Sequence, residues 1–195
     1  MDTLSFTQSH KLNRFHKISD FNSWSWKFLI FNYTDGSSQK QKLLVATKKG
    51  VFEIEDDKIK LKISDYTAYS IFQSKNSPNV VYIGERNNLS SIWWDYNNQS
   101  WEDNGIIKGI KPGSIKNMAE DSNGNIWITD LLNIHKMLPE LAEDKFSNLK
   151  SNNPIIEKYV DKSGITIFQS LRIFNFNNKD TSFVFFSGKE GVFSY

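Results

Sequence analysis

The chain contains no cysteine, so neither a disulfide framework nor thiolate chemistry is open to it. Histidine is scarce as well: His10, His16 and His135 stand far apart without metal-ligand spacing, and no metal site is expected. No stretch approaches the roughly 18 consecutive apolar residues that would cross a membrane as a helix. The first residues, Met1 to His16, hold no apolar run of signal-peptide length. Taken alone, these absences predict a soluble chain without a membrane segment or an export signal. A surplus of one charge is also lacking. The 24 Lys and Arg against 22 Asp and Glu leave a formal charge of +2, too balanced to suggest a nucleic-acid or acidic-membrane partner. No nucleophile elbow, Walker loop or dinucleotide fingerprint occurs, so neither a catalytic constellation nor a cofactor is expected.

Aromatic residues are abundant instead. They make up 14% of the 195 residues, with 6 Trp and 15 Phe, which favours stacked β-sheets over a helical bundle because rings pack well on pleated faces. From Met118 to Ile134 apolar residues flank an Asp121-Ser122-Asn123-Gly124 cluster, which reads as a β-hairpin around a turn. The same hairpin is written four times. Aligned on the small residue that closes the second strand, the anchors are Ala46, Gly84, Thr129 and Ser187, spaced by 38, 45 and 58 residues. Before them stand Leu44-Val45, Tyr82-Ile83, Trp127-Ile128 and Phe185-Phe186. Four positions after them come Gly50, Asn88, Asn133 and Gly191, where positive φ is expected, and then Val51, Leu89, Ile134 and Val192.

Strand patterns around these anchors divide the chain into units at 24–64, 67–103, 113–162 and 165–195, the last stopping inside a third strand. Residues 1–23 read as an irregular lead-in, from which Leu4 to Phe6 would supply a closing strand. Trp24 to Tyr33 reads as a strand buried on both faces in its middle, and Leu138 to Glu143 as a short helical insertion. Antiparallel units repeating about every 40 to 50 residues are the signature of a β-propeller, so the expected fold is all-β, with about four four-stranded blades forming a partial propeller. A β-sandwich also uses short strands, but does not require the same columns to recur.

Asp121-Ser122-Asn123-Gly124-Asn125-Ile126-Trp127-Ile128-Thr129, and the shorter Leu44 to Phe52, resemble the two-component regulator propeller repeat. In that family an Asp-x-x-Gly turn leads into Trp-Ile-Gly-Thr, and a Gly-Leu pair opens the next strand. Thr129 and Ser187 depart from the first Gly, Asn88 and Asn133 from the second, and Tyr82 stands where Trp is usual. The resemblance spans residues 24–195. It implies the periplasmic sensor region of a bacterial hybrid histidine kinase: non-catalytic, binding a small molecule or glycan, with the remaining blades and signalling domains elsewhere in a longer chain.

Ala46, Gly50, Gly84, Asn88, Gly124, Trp127, Thr129, Asn133, Ser187 and Gly191 are read as architectural, since a residue type repeated in every unit leaves no reactive group at a unique place. His135 falls in the column of Phe52 and Phe193 and is assigned to packing. The carboxylates at Asp56-Asp57, Asp95, Glu102-Asp103 and Glu120-Asp121 are placed mostly at solvated turns. Candidate ligand-binding residues are those of the second-to-third-strand loops, which collect on one face of a propeller: Lys48, Lys49, Glu85, Arg86, Asn87, Asp130, Lys189 and Glu190. The alternatives are a propeller glycosidase or lyase and a protein interaction platform. For the former, Glu120-x-Ser122-x-Gly124-x-x-Trp127 approaches the Asp box of sialidases but differs at its two polar positions.

Overall fold

The computed structural model describes residues 18, 21–110, 113–130, 133–138, 155–159, 172–178, 181–188 and 191–194. The expectations for Leu4 to Phe6 and for Lys189 and Glu190 lie outside them, as does the helical insertion expected from Leu138 to Glu143 except for Leu138 itself, which ends a strand. Among the described residues every regular element is a strand, and all pairing is antiparallel. The first sheet contains β1 (Ser25–Asp35), β2 (Ser38–Thr47), β3 (Gly50–Glu55) and β4 (Lys58–Ser64). The second contains β5 (Ser70–Gln73), β6 (Val80–Gly84), β7 (Leu89–Asp95) and β8 (Ser100–Ile106). The third contains β9 (Asn117–Glu120), β10 (Ile126–Thr129), β11 (Ile134–Leu138) and β12 (Ile155–Tyr159). The fourth is three-stranded: β13 (Arg172–Asn178), β14 (Thr181–Gly188) and β15 (Gly191–Ser194). Local chemistry sets the turns. Asp56 and Asp57, with φ of 49° and 59°, make the left-handed pair that a tight hairpin between β3 and β4 requires, a conformation aspartate tolerates.

The repeat columns coincide with the pairing register. The anchors Ala46, Gly84, Thr129 and Ser187 pair with Val51, Leu89, Ile134 and Val192 on the third strand of each sheet. On the first strand they pair with Lys27, Ser70, Asn117 and Arg172. Because side chains alternate across a strand, neighbouring columns face opposite neighbours. Leu44 and Val51 of the first unit pack with Ile71 and Ile83 of the second, and Tyr82 and Leu89 of the second pack with Met118 and Ile128 of the third. The third interface follows the same rule, with the Trp127 ring edge-on to Phe186 at 5.5 Å. Trp94 lies in the core between the first two units with Trp101 against it, and Trp93 packs on the next core. The second and third sheets thus each have one face toward the preceding unit and one toward the following unit.

Each first strand lies at the edge of its sheet, and these edges pack in succession, β1 on β5, β5 on β9 and β9 on β13. The connections repeat too. The N–H of Ala68 donates to the Thr47 carbonyl at 3.0 Å, and that of Ile115 to the Glu85 carbonyl at 2.9 Å, one position after the anchor in each case. Gly84 allows this approach, since a Cβ there would stand 2.5 Å from Ile115 Cγ2 and 2.3 Å from Ser70 Oγ.

Three expectations are corrected. β1 is buried on one face only: Phe31 is enclosed, whereas Phe28 and Ile30 are exposed, because among the described residues no sheet packs on that side, where Ile18 and Phe21 lie on Val45, Phe52 and Ile54 instead. Positive φ holds at Gly50 but not at Asn88 or Asn133. Their loops close instead through the Glu85 and Asp130 N–H groups donating to the Asn88 and Asn133 carbonyls, at 3.0 and 3.1 Å. Finally, Glu120 is not a solvated turn residue. It is buried and accepts from Ser74 Oγ at 3.0 Å, from Asn76 N–H at 3.1 Å and from Lys75 N–H, so the third unit clasps a hairpin of the second.

Candidate functional site

Thr47, Glu85 and Asp130 occupy one column, directly after the anchors, and all three are buried beneath the loops that follow. Thr47 Oγ1 accepts from Lys49 N–H at 3.0 Å and donates to the Gly50 carbonyl at 2.8 Å, which leaves Lys48 and Lys49 at an exposed tip. Arg86 and Asn87 are exposed at the equivalent tip of the second unit. Asp130 accepts from Asn133 N–H at 2.8 Å, from Gly113 N–H at 2.8 Å and from Asn133 Nδ2, and faces His135 Nε2 at 3.0 Å. That carboxylate is saturated by its loop, by Gly113 and by His135, so it shapes the tip rather than offering itself to a ligand. His135, expected to pack, is buried as an ordering partner of Asp130.

The segment 113–115 ties two of the loops together, because Gly113 binds Asp130 while Ile115 binds Glu85. Glu85 differs from its column neighbours. Its Oε1 and the nearby Ser90 Oγ are buried without a well-aligned hydrogen bond among the described residues, and burial pushes the Glu85 carboxyl above its ordinary pKa, outweighing the opposing pull of the neighbouring Ser90 and Asn88 side chains. A folded pKa above the unfolded one means that the fold favours the protonated form, and the charged form is penalised near neutrality. Glu85→Gln is therefore expected to raise stability at pH 7 by about 1 kcal/mol. That gain should shrink as pH falls and vanish below the ordinary value of 4.5, where the parent carboxyl is protonated in both states. Thermal melts of both proteins across this range check the sign.

The edge along which β1, β5, β9 and β13 pack in succession, here termed the inner edge, carries a further cluster that the sequence reading passed over. Lys27, Ser70 and Asn117 begin the regular pairing with the anchors, and the residue just before each is Trp26, Tyr69 and Lys116. The N–H groups of Tyr69 and Lys116 donate to the Gly84 and Thr129 carbonyls at 2.8 and 3.2 Å, which fixes both at the mouth of the inner edge. In the first unit the register shifts between Ser25 and Lys27, so Trp26 sits on a bulge, a feature that re-aims a side chain. Its ring meets Tyr69 at 4.6 Å between centroids, and Lys116 Nζ stands 3.8 Å from the centre of the same Tyr69 ring. Partial burial lowers the Lys116 pKa. Three successive units thus contribute one residue each to a continuous patch of two rings and an ammonium, all reaching solvent to some degree. Such a patch can stack on a flat face and neutralise an anion beside it. The signal was positional: the three residue types differ, so no repeated column marks them, and only their shared place before the ladder unites them.

No family model and no curated protein matches the chain. Solved structures do. The chain is similar to the extracellular domain of BT4673 from B. thetaiotaomicron, described as a one component system, at 13% identity and a TM-score of 0.58, covering 92% of this chain and 21% of that one. A second structure, the extracellular domain of BT4673 described as a hybrid two component system, matches at 13% identity and a TM-score of 0.56, covering 89% and 20%. The extracellular domain of the hybrid two component system BT3049 from the same organism gives 14% identity and 0.46, covering 87% and 27%. This chain thus spans about a fifth of the length of the first two structures that it matches.

Proposed function

We propose that the four sheets are blades of a partial β-propeller, and that the chain is a non-catalytic, ligand-binding sensor region of a bacterial two-component signalling protein on the extracytoplasmic, periplasmic side of the membrane. The likeness to extracellular domains of such systems supports the setting. Among the described residues no helix is long and apolar enough to cross a membrane. The binding role rests on one observation: successive first strands deliver Trp26, Tyr69 and Lys116, at one register position, into mutual contact. A side chain needed only for packing has no reason to keep an ammonium over a ring at the mouth of the inner edge, where water is available to it. The exposed tips Lys48, Lys49, Arg86 and Asn87 are assigned to the rim, where they add polar contacts.

The ligand is a small molecule or glycan with a ring-shaped face and an acidic group, since the rings supply stacking and Lys116 supplies charge. Calorimetric titration with acidic oligosaccharides and their neutral counterparts tests this. Binding of an acidic member is expected, with loss of detectable heat in Tyr69→Ala. Lys116→Met should weaken the acidic ligand about ten-fold, the equivalent of about 1.4 kcal/mol, and leave neutral ones unchanged. Equal binding by parent and both variants, or no binding by any member of the panel, would sink the assignment.

A further inference from the structure

The near balance of 24 basic and 22 acidic residues conceals a separation that the topology creates. In each sheet consecutive strands lie side by side and antiparallel, so the tips between second and third strands share one end with the connections between units, and the other turns share the opposite end. The tip end carries Lys27, Lys48, Lys49, Arg86, Lys108 and Lys116, and among the described residues none of them has a carboxylate within ion-pair distance. The acids there are already engaged or buried. Asp65 pairs with Lys62, Glu85 and Asp130 lie beneath their loops, and Asp103 accepts from Gly105 N–H at 2.7 Å and faces Tyr66. Asp35, Asp56, Asp57, Asp95 and Asp121 stand at the opposite end. Like charges gathered without counterions repel, and lost hydration adds to the cost for Lys27 and Lys116, whose pKa values burial lowers.

These cations adjoin the aromatic patch. Lys48 N–H donates to the Trp24 carbonyl at 3.0 Å, and the Lys48 carbonyl accepts from Thr67 Oγ1 at 3.0 Å, so this tip is tied two residues before Trp26 and two before Tyr69. The Glu85 carbonyl, next to Arg86, takes the N–H of Ile115, the neighbour of Lys116. Two residues of extended chain span about 7 Å, which puts the tips within reach of a ligand that runs past the patch. We propose that this ligand is an extended polyanionic saccharide, one of whose sugars stacks on Trp26 and Tyr69 while its further acidic groups cross to Lys48, Lys49 and Arg86. The inference rests on the binding role given to the patch above. A saccharide fits better than single-stranded nucleic acid, which is held by successive rings along its path, whereas these tips carry charge without rings.

Calorimetric titration of the whole chain with oligouronates and with sulfated oligosaccharides, each graded from monomer to octamer, tests this. In at least one series affinity should rise about a hundred-fold with length and fall steeply with added salt, as engagement of several charges at once requires. The double variant Lys48→Gln, Lys49→Gln and the single variant Arg86→Gln should each lose about ten-fold of that gain. Their side chains are exposed, so both are expected to fold as the parent does, which circular dichroism checks. Tyr69→Ala should lose binding at every length. Monomer binding with no gain in length, or a gain that both tip variants keep, overturns the extended ligand and leaves the patch standing. No binding at any length, or full binding by Tyr69→Ala, overturns the patch as well. Polyglutamate or a single-stranded oligonucleotide of equal charge that binds as tightly as the octamer overturns the saccharide.

Discussion

Gly50→Val should leave little folded protein. Gly50 has φ of +127°, a backbone conformation that residues with a side chain rarely adopt, and a Cβ built there would stand 1.8 Å from the Ser64 carbonyl oxygen. The obstacle is backbone on the paired strand β4, which cannot swing aside as a side chain would. Strain and steric overlap each cost about 1 to 3 kcal/mol, so a loss of about 3 kcal/mol or more is expected, a large share of the roughly 5 to 15 kcal/mol that holds a domain folded. Gly36→Ala provides the comparison. Its φ is +60° but nothing lies within 4 Å of the added carbon, so only about 1 kcal/mol should be lost there. Urea titrations of the two variants separate strain from collision, and equal midpoints would refute the role given to Ser64.

Trp127→Ala is expected to cost about 3 to 5 kcal/mol, as removal of a large buried ring does. Trp127 is fully buried, its ring edge-on to Phe186 of the next unit, and its Nε1–H donates to Asp121 Oδ2 at 2.8 Å. Asp121 also accepts from the N–H groups of Asn123 and Asn125 at 3.0 and 2.9 Å, so one carboxylate binds the turn to the ring that fills the interface. Trp127→Phe should keep most of the contact with Phe186 and lose about 1 kcal/mol, because Asn125 Nδ2 still donates to the freed oxygen at 2.9 Å. Denaturant midpoints that fall in the order parent, Phe, Ala support this account. A Phe variant as unstable as Ala would instead place the importance of Trp127 in its hydrogen bond.

Much of the array was legible because its rules are local. Alternation with period two and turn residues at fixed offsets set strand limits, and the anchor columns match the ladder partners in all four sheets. Lys48, Lys49, Arg86 and Asn87 stand in exposed turns, of two residues between β2 and β3 and of four between β6 and β7, because the tip of a short hairpin loop has little choice but solvent. Asparagine in a glycine column was less informative. Asn133 reaches its place by donating to Asp130, with no need for positive φ, and a column of residue types does not record which of these mechanisms operates.

What the chain determined by itself is the repeat: four antiparallel sheets, the register within each, and the alternation that gives every sheet two different faces. Which of those faces is covered was decided only by the packing of sheet on sheet. An aromatic strand such as Trp24 to Tyr33 reads the same whether one neighbour or two lie against it, yet among the described residues Phe31 is enclosed while Phe28 and Ile30 stay exposed. The burial of Glu120 and the meeting of Trp26, Tyr69 and Lys116 have the same origin. Each joins residues more than forty positions apart, on edges whose separation depends on how neighbouring sheets stack, and no local period in the sequence carries that distance.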